Sequence, residues 1–349
     1  MSSAQSPRTP LARLALWSAL LGLLLLHATG FGQGCVIARG GGDASIADGS
    51  NFLEPGHWQL NYSFRHFKSH RHFAGDDEQT IRSDQGTEVY NDSYFNDVTA
   101  NYGWSNRLSF NLTVPTVNHD RSSLYEHLGN ASGQRFSTQA SGIGDVRIGG
   151  SYWLKDPAGD NRGNLAVGFG FKLPTGDAEA KDIFVKATGP VLKYVDSSIQ
   201  PGDGGFGYTV DLQGYWRIRT GLSAYGSASY LLNPEGRNEN TGYSIPDSYL
   251  VRGGFDYRID AVKGLSVSLG LRNEGVVAHD LIGGNLGFRR PGFAVAVEPG
   301  FAYSVGRYSS ALTVPIAIHR NRTTSFGSIK AGDAAFADYT INFALSMKL

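Results

Sequence analysis

Along the last thirteen residues, Ala337–Leu349, apolar and polar positions alternate: Tyr339, Ile341, Phe343, Leu345, Met347 and Leu349 fall on one side, Asp338, Thr340, Asn342, Ala344, Ser346 and Lys348 on the other. A period of two predicts a strand with one greasy face and one wet one. The same grammar recurs from His57 onward, in twelve segments by count. The first sets Trp58, Leu60, Tyr62 and Phe64 against Gln59, Asn61, Ser63 and Arg65; the third sets Leu108, Phe110, Leu112 and Val114 against Arg107, Ser109, Asn111 and Thr113. In the eleventh, Leu312, Val314, Ile316 and Ile318 oppose Ala311, Thr313, Ala317 and His319. A tilted strand of about 10 residues is what a bilayer requires.

Connections sharpen the reading. Long ones (Ser69–Ser93, His119–Ser141, Pro174–Gly205, Asn233–Ser248, Gly275–Gly292, Asn321–Phe336) alternate with short ones such as Ser105–Asn106, Ile218–Gly221 and Gly306–Tyr308. A soluble sandwich has no reason to sort them, whereas an outer-membrane barrel carries long loops on its outer rim and tight turns on its periplasmic rim. Once each strand has a direction, Trp58, Trp104, Tyr152, Trp216, Tyr257 and Tyr303 fall near the turns, and Tyr94, Tyr208, Tyr230, Tyr249 and Tyr339 near the loops. Amphipathic rings gather at headgroup level in this way. The pattern predicts an all-β fold: a closed antiparallel up-and-down transmembrane β-barrel of about 12 strands, with lipid around it.

Charge and composition narrow the classes. Lys plus Arg and Asp plus Glu both number 31, so no basic stripe argues for nucleic acid. Gly at 46 and aromatics at 12% suit short strands and aromatic girdles. The single cysteine, Cys35, excludes an intrachain disulfide and a thiolate metal cluster.

The chain opens with Arg8 and Arg13, then a run from Leu14 to Leu26 that is apolar except at Ser18, then small residues at Ala28, Gly30, Gly32 and Gly34. Residues 1–34 therefore read as an export signal, its apolar run too short to span as a helix. Cys35 invites a lipid anchor, but Gly32 stands three before it and the apolar run ends early, so a free thiol in a leader is the plainer reading. Residues 35–56, with a glycine triplet and no periodicity, form a periplasmic leader or plug-like tail; residues 57–349 form the barrel.

Function belongs on the inner wall. The charged candidates for lining a pore are Arg65, Asp97, Arg107, Asp145, Arg147, Lys172, Asp211, Arg217, Arg252, Asp256, Arg258, Arg272 and Glu298. Both signs occur in similar number, which fits either a conducting lumen or a salt-bridged interior that only holds shape. Small residues, among them Gly168, Gly170, Ser223–Ser229, Ala294 and Ala296, mark where space is left. The longest outer loop, Pro174–Gly205, is too apolar to stay in water. It is expected either to cover neighbouring loops as a lid or, as the preferred reading, to fold into the mouth with Phe184, Val191, Leu192 and Tyr194 as the constriction.

Other chemistry is thin. His66, His70 and His72 lie near Asp76, Asp77 and Glu78, but loop histidines are more often solvated, and no metal site, cofactor or catalytic residue is predicted. A lipid hydrolase would need a nucleophile and a histidine base facing lipid near the outer rim; the outward faces of the counted segments hold no histidine in a strand interior. A structural or adhesive barrel working through its loops is the other alternative.

Two motifs carry a resemblance. Gly142-Ile143-Gly144-Asp145-Val146 and Lys172-Leu173-Pro174-Thr175-Gly176-Asp177 resemble the repeated motifs of the outer-membrane transporter family associated with the meta pathway of phenol degradation. The resemblance runs over the barrel and implies a porin-like channel in the bacterial outer membrane for small solutes, hydrophobic or aromatic ones among them. The terminal strand likewise resembles the signal strand of outer-membrane barrels, which usually ends in an aromatic residue where Leu349 stands here. That implies the barrel-assembly machinery as a partner, beside outer-membrane lipid and a small-molecule solute.

Overall fold

The computed structural model describes residues 52–349 except 160, 327, 328 and 331. The expected signal segment, Cys35 and residues 35–51 of the leader lie outside the described residues. Twelve long strands carry the fold. They are β1 (Trp58–Ala74), β2 (Tyr90–Gly103), β3 (Leu108–Ser123), β4 (Phe136–Ile143 and Arg147–Trp153), β5 (Gly163–Lys172) and β6 (Gly207–Arg219), followed by β7 (Leu222–Leu232), β8 (Ser248–Arg258), β9 (Leu265–Val276), β10 (Gly292–Val305), β11 (Tyr308–Thr313 and Ile316–Arg322) and β12 (Ala334–Lys348). Each pairs antiparallel with its sequence neighbours, and β12 pairs with β1 from Gln59↔Lys348 to Phe73↔Ala334. The Leu349 amide donates to the Trp58 carbonyl at 2.8 Å, so pairing runs to the last residue. Closure leaves no sheet edge at membrane depth, which a bilayer demands because lipid offers no hydrogen bonds.

Two strands are broken, each for a local reason. Between the arms of β4 the Val146 amide turns away from the ladder to the Thr175 hydroxyl. In β11, Pro315 has no amide to give, and a register shift follows, from Ala296↔Ala317 to Val295↔His319. The bulge swings His319 outward, 3.3 Å from Asp76. Alternation had put that histidine on the inner face, and a one-residue slip reverses every side chain beyond it.

Outward faces carry the apolar residues: Trp58, Leu112, Phe169, Trp216, Phe255 and Leu269 are all exposed. So much contiguous apolar exterior is a lipid-facing surface. The aromatic levels also follow the register, with Tyr230 paired opposite Val210 and Tyr249. Beyond the outer belt, β1, β2, β3 and the first arm of β4 continue into water, so the long connections there are shorter than the alternation indicates. His66, Lys68, Asp92 and Asp120 replace the apolar residues on this extension.

The interior is filled unequally. On the side of β8, β9 and β10, Arg65 of β1 meets Glu274 of β9 at 2.7 Å, Arg272 meets the same carboxylate at 2.7 Å, and Arg252 and Arg272 reach Glu298 at 3.5 and 4.0 Å. Since β1 and β9 are not neighbours, this charge network braces the barrel across its interior. Removing one partner of such a buried pair generally costs about 3–5 kcal/mol, because the other charge is left without compensation. Phe73, Ala294, Ala334 and Phe336 pack as an apolar cluster on the same side. Below the brace, the Tyr225 hydroxyl occupies room that only glycine leaves: a Cβ on Gly270 would meet it at 2.6 Å. At the turn end, Trp153, Ala166 and Tyr215 form a second plug, and Leu53 of the leader is buried near the Lys348 ammonium, which donates to the Phe52 carbonyl.

Candidate functional site in the barrel lumen

The side opposite the brace is open. A cavity of about 190 Å³ is bounded by the inner faces of β1 to β8. Alternation within each strand brings Asn61 and Ser63 from β1, Asp97, Thr99 and Asn101 from β2, and Asn111 and Thr113 from β3 to its wall. Arg147 of β4, Thr209, Asp211 and Gln213 of β6, and Ser227 and Ser229 of β7 complete the polar lining. Space exists because Gly149 and Gly168 project nothing inward; Asp211 lies over Gly168, whose added Cβ would meet the Asp211 Cβ at 3.1 Å. Thr99 and Thr113 hydrogen-bond across the strands at 2.8 Å. The Asp97 Oδ1 is buried and meets no donor among the described residues.

A second cavity of about 170 Å³ lies on the loop side, and Arg147 borders both. Its roof is the end of the long loop after β5. Asp145, freed by the break in β4, accepts the Gly176 amide at 3.0 Å and the Asp203 amide at 3.3 Å. Lys172, buried, pairs with the Asp203 carboxylate. Thr175 donates its hydroxyl to the Gly144 carbonyl and receives the Val146 amide on the same oxygen. The two motifs that carry the sequence resemblance thus interlock, and their glycines are needed for it: a Cβ on Gly202 would sit 2.6 Å from the Gly176 carbonyl oxygen.

Further along the same segment, Asp196 pairs with Arg290 at 2.7 Å and lies 3.6 Å from Arg121. Burial alone would raise the Asp196 carboxyl, but the Arg121 and Arg290 guanidinium groups outweigh it and hold the acid well below the usual carboxylate range. A depressed folded-state value contributes stability that is complete above the ordinary range near pH 4 and is lost only as pH falls through the folded value. Between pH 8 and pH 5, roughly the window in which histidines rather than this acid titrate, the anchor should hold and single-channel conductance should stay flat. A conductance step within that window would give control to another group: His127 beside the loop, or Asp145 at the loop end, whose carboxyl is pushed up by burial and by the nearby Asp203.

The structure distributes the sequence-expected wall residues among several places. Arg65, Arg252, Arg272 and Glu298 belong to the brace, while Asp97, Arg147 and Asp211 border the open cavity. Asp145 and Lys172 hold the loop. Asp256 stands on the inner face of β8 between Ser223 and Ser268, and Arg217 and Arg258 are exposed at the turn ends of β6 and β8. Arg107 does not join them: it is exposed in the turn before β3, 3.4 Å from the hydroxyl of the outward Tyr152.

The loop divides between the two expected placements. Lys181–Lys186 and Gly189–Tyr194 form a hairpin, and its Asp182 takes the Gln139 amide at the rim of β4. Phe184 is buried, stacked on His127 at 5.3 Å. Val191 and Leu192 are exposed, Leu192 by 65%, and Tyr194 lies under the Lys181 ammonium. The apolar hairpin therefore covers the rim, while the polar stretch from Asp196 to Asp203 reaches the lumen. Gln200 ties the two together through Ala180 and Val195. Asp196, Gln200, Asp203 and Arg290 carried no periodic signal, since loop residues have none. The uncharged wall residues did lie on predicted inner faces.

The three clustered histidines do not converge: His66 meets Asp92 at 2.8 Å, His70 stacks on Tyr90, and His72 accepts the Val89 amide. Because β1 runs on to Ala74, His66 is in a strand interior and faces outward, contrary to the shorter segment expected, but its partner is a carboxylate.

A closed barrel with a lipid-facing exterior, twelve strands and segregated loops is the fold of a bacterial outer-membrane barrel. No family model matches the chain, and no curated protein matches it. Among solved structures it is similar to an outer-membrane channel from Pseudomonas putida F1, with a TM-score of 0.57 at 11% identity over 86% of this chain and 98% of that one. The translocator domain of autotransporter NalP from Neisseria meningitidis (TM-score 0.43, 12% identity, 96% and 97% covered) and a Pseudomonas aeruginosa FadL homologue (0.41, 9%, 91% and 99%) are more distant. At these identities the likeness is one of fold.

Proposed function

We propose that this chain is an outer-membrane channel or transporter that passes small solutes. The observation that carries the reading is the polar cavity: a barrel that served only as a structural wall would have no need to leave one half of its interior open while bracing the other. The polar end of the long loop narrows this path from outside, and the pore-lining role falls to Asp97, Arg147 and Asp211. Kinship with the phenol-pathway transporter family rests on the two sequence motifs, which meet in one device at Asp145 and Thr175. Enzymatic activity is not part of the proposal. The terminal β12 would be read by the barrel-assembly machinery.

Conductance across a planar bilayer tests the reading. The refolded protein, verified by detergent-resistant mobility that changes on boiling, should give discrete single-channel currents. Verified barrels that insert and carry no current would leave the structural or adhesive alternative in possession.

A further inference from the structure

In a channel, the role proposed for this chain and on which any selectivity rests, the wall of the cavity bounded by β1 to β8 has a chemistry that selects among solutes. Amide and hydroxyl side chains are the most numerous on it, with Pro115 and Leu250 the inward apolar residues among them. Its ionised groups are two carboxylates, Asp97 and Asp211, against one guanidinium, Arg147, a balance of 1 − 2 = −1. Ile148, Phe169 and Leu212 border the same space only with their backbone, because their side chains are on the lipid face and exposed. Among the described residues, no inward-pointing aromatic ring lines the cavity.

An apolar solute in such a place would displace water from groups to which it returns no hydrogen bond, and each would be left unsatisfied. A solute bearing O–H or N–H groups replaces that water one for one. The carboxylates of Asp97 and Asp211, both on the cavity wall, are acceptors for such a solute. A positive charge would be favoured by the wall and a negative one opposed, because a narrow low-dielectric passage magnifies even a small excess of one sign.

We propose that the lumen conducts small hydrophilic solutes that donate hydrogen bonds, neutral or positively charged, with Asp97 and Asp211 on opposite parts of one wall as the selecting groups. This differs in chemical class from a route for hydrophobic molecules. It also assigns two of the inner charges to selection and leaves the brace to structure.

Two measurements decide it. In a potassium chloride gradient the reversal potential should show cations favoured over anions about two- to threefold, reversing to a mild anion preference in the double variant Asp97→Asn, Asp211→Asn, which leaves Arg147 as the one charge on this wall. In liposome swelling, which uses only the unaltered protein, ethanolammonium chloride and arabinose should enter faster than sodium benzoate. An unaltered protein that is unselective or anion-selective, or a cation preference that survives the double substitution, overturns the assignment while leaving a channel. Benzoate entering faster than arabinose also overturns it. Absence of any current from verified barrels removes the channel reading and this inference with it.

Discussion

Deleting Phe343–Leu349 should abolish insertion of the protein into the outer membrane, reducing surface-exposed, heat-modifiable barrel to background. The segment is one shared strand for two neighbours: it pairs with β1 from Phe64↔Phe343 to Gln59↔Lys348 and with β11 from Leu312↔Phe343 to Tyr308↔Met347. Its loss opens two edges at once, at the depth of the inner aromatic belt. Each backbone group orphaned there has no water to turn to and costs several kcal/mol. The remaining strand would still end at Asn342, so residual pairing could not close the wall. Leu349→Phe, by contrast, should be tolerated, because the Leu349 contact with β1 that the structure shows is made by its backbone amide. Surface proteolysis of intact cells, together with gel mobility before and after boiling, measures both. Normal insertion of the truncated chain would mean that β12 is not what closes the barrel.

The barrel was legible because lipid imposes a rule with no exceptions at membrane depth: whatever faces outward there must be apolar. Trp58, Leu60 and Tyr62 on β1, or Phe343 and Leu345 on β12, obey it and can be read from alternation. Above the outer belt the rule lapses, since both faces of a strand may be polar in water. That is why the extension of β1 through His66 and Lys68, and the first arm of β4 at Phe136–Ile143, were indistinguishable from loop. The inner wall was half legible. Alternation places Asp97, Arg147 and Asp211 inward, but it cannot tell a charge that brace partners consume, such as Arg272, from one that borders open space. That distinction depends on Glu274 and Glu298 meeting Arg65 and Arg272 in the interior, with the Arg65 contact joining strands far apart in sequence. Arg107 fell one residue before its strand, where the turn and not the pleat sets direction.

Exchanging Ser197–Asp203 for a glycine-serine linker of the same length should raise single-channel conductance, on the order of twofold, because pore resistance concentrates at the narrowest level. The exchange removes what holds the loop end in the mouth: the Asp203 carboxylate on Lys172, the Asp203 amide on Asp145, and the Gln200 clamp on Ala180 and Val195. It leaves Asp196, so the Arg121 and Arg290 pairs and the hairpin that they help to anchor persist. The barrel wall is untouched, since every exchanged residue lies between β5 and β6. A single substitution sharpens the test. Gly202→Val puts a branched side chain where a Cβ already meets the Gly176 carbonyl oxygen at 2.6 Å and the Asp145 carboxylate at 2.8 Å. The crossing of the two chain segments cannot absorb it, so the loop end should leave the mouth without any change of loop length. Both variants should then conduct alike, and solutes too large for the unaltered channel should pass. Removing the hairpin tip alone, Ile183–Leu192, should change conductance little, because those residues cover the rim. If the linker exchange and Gly202→Val insert correctly but conduct as the unaltered protein does, the narrowest level lies elsewhere in the lumen, and the plug of Trp153 and Tyr215 at the turn end becomes the place to look.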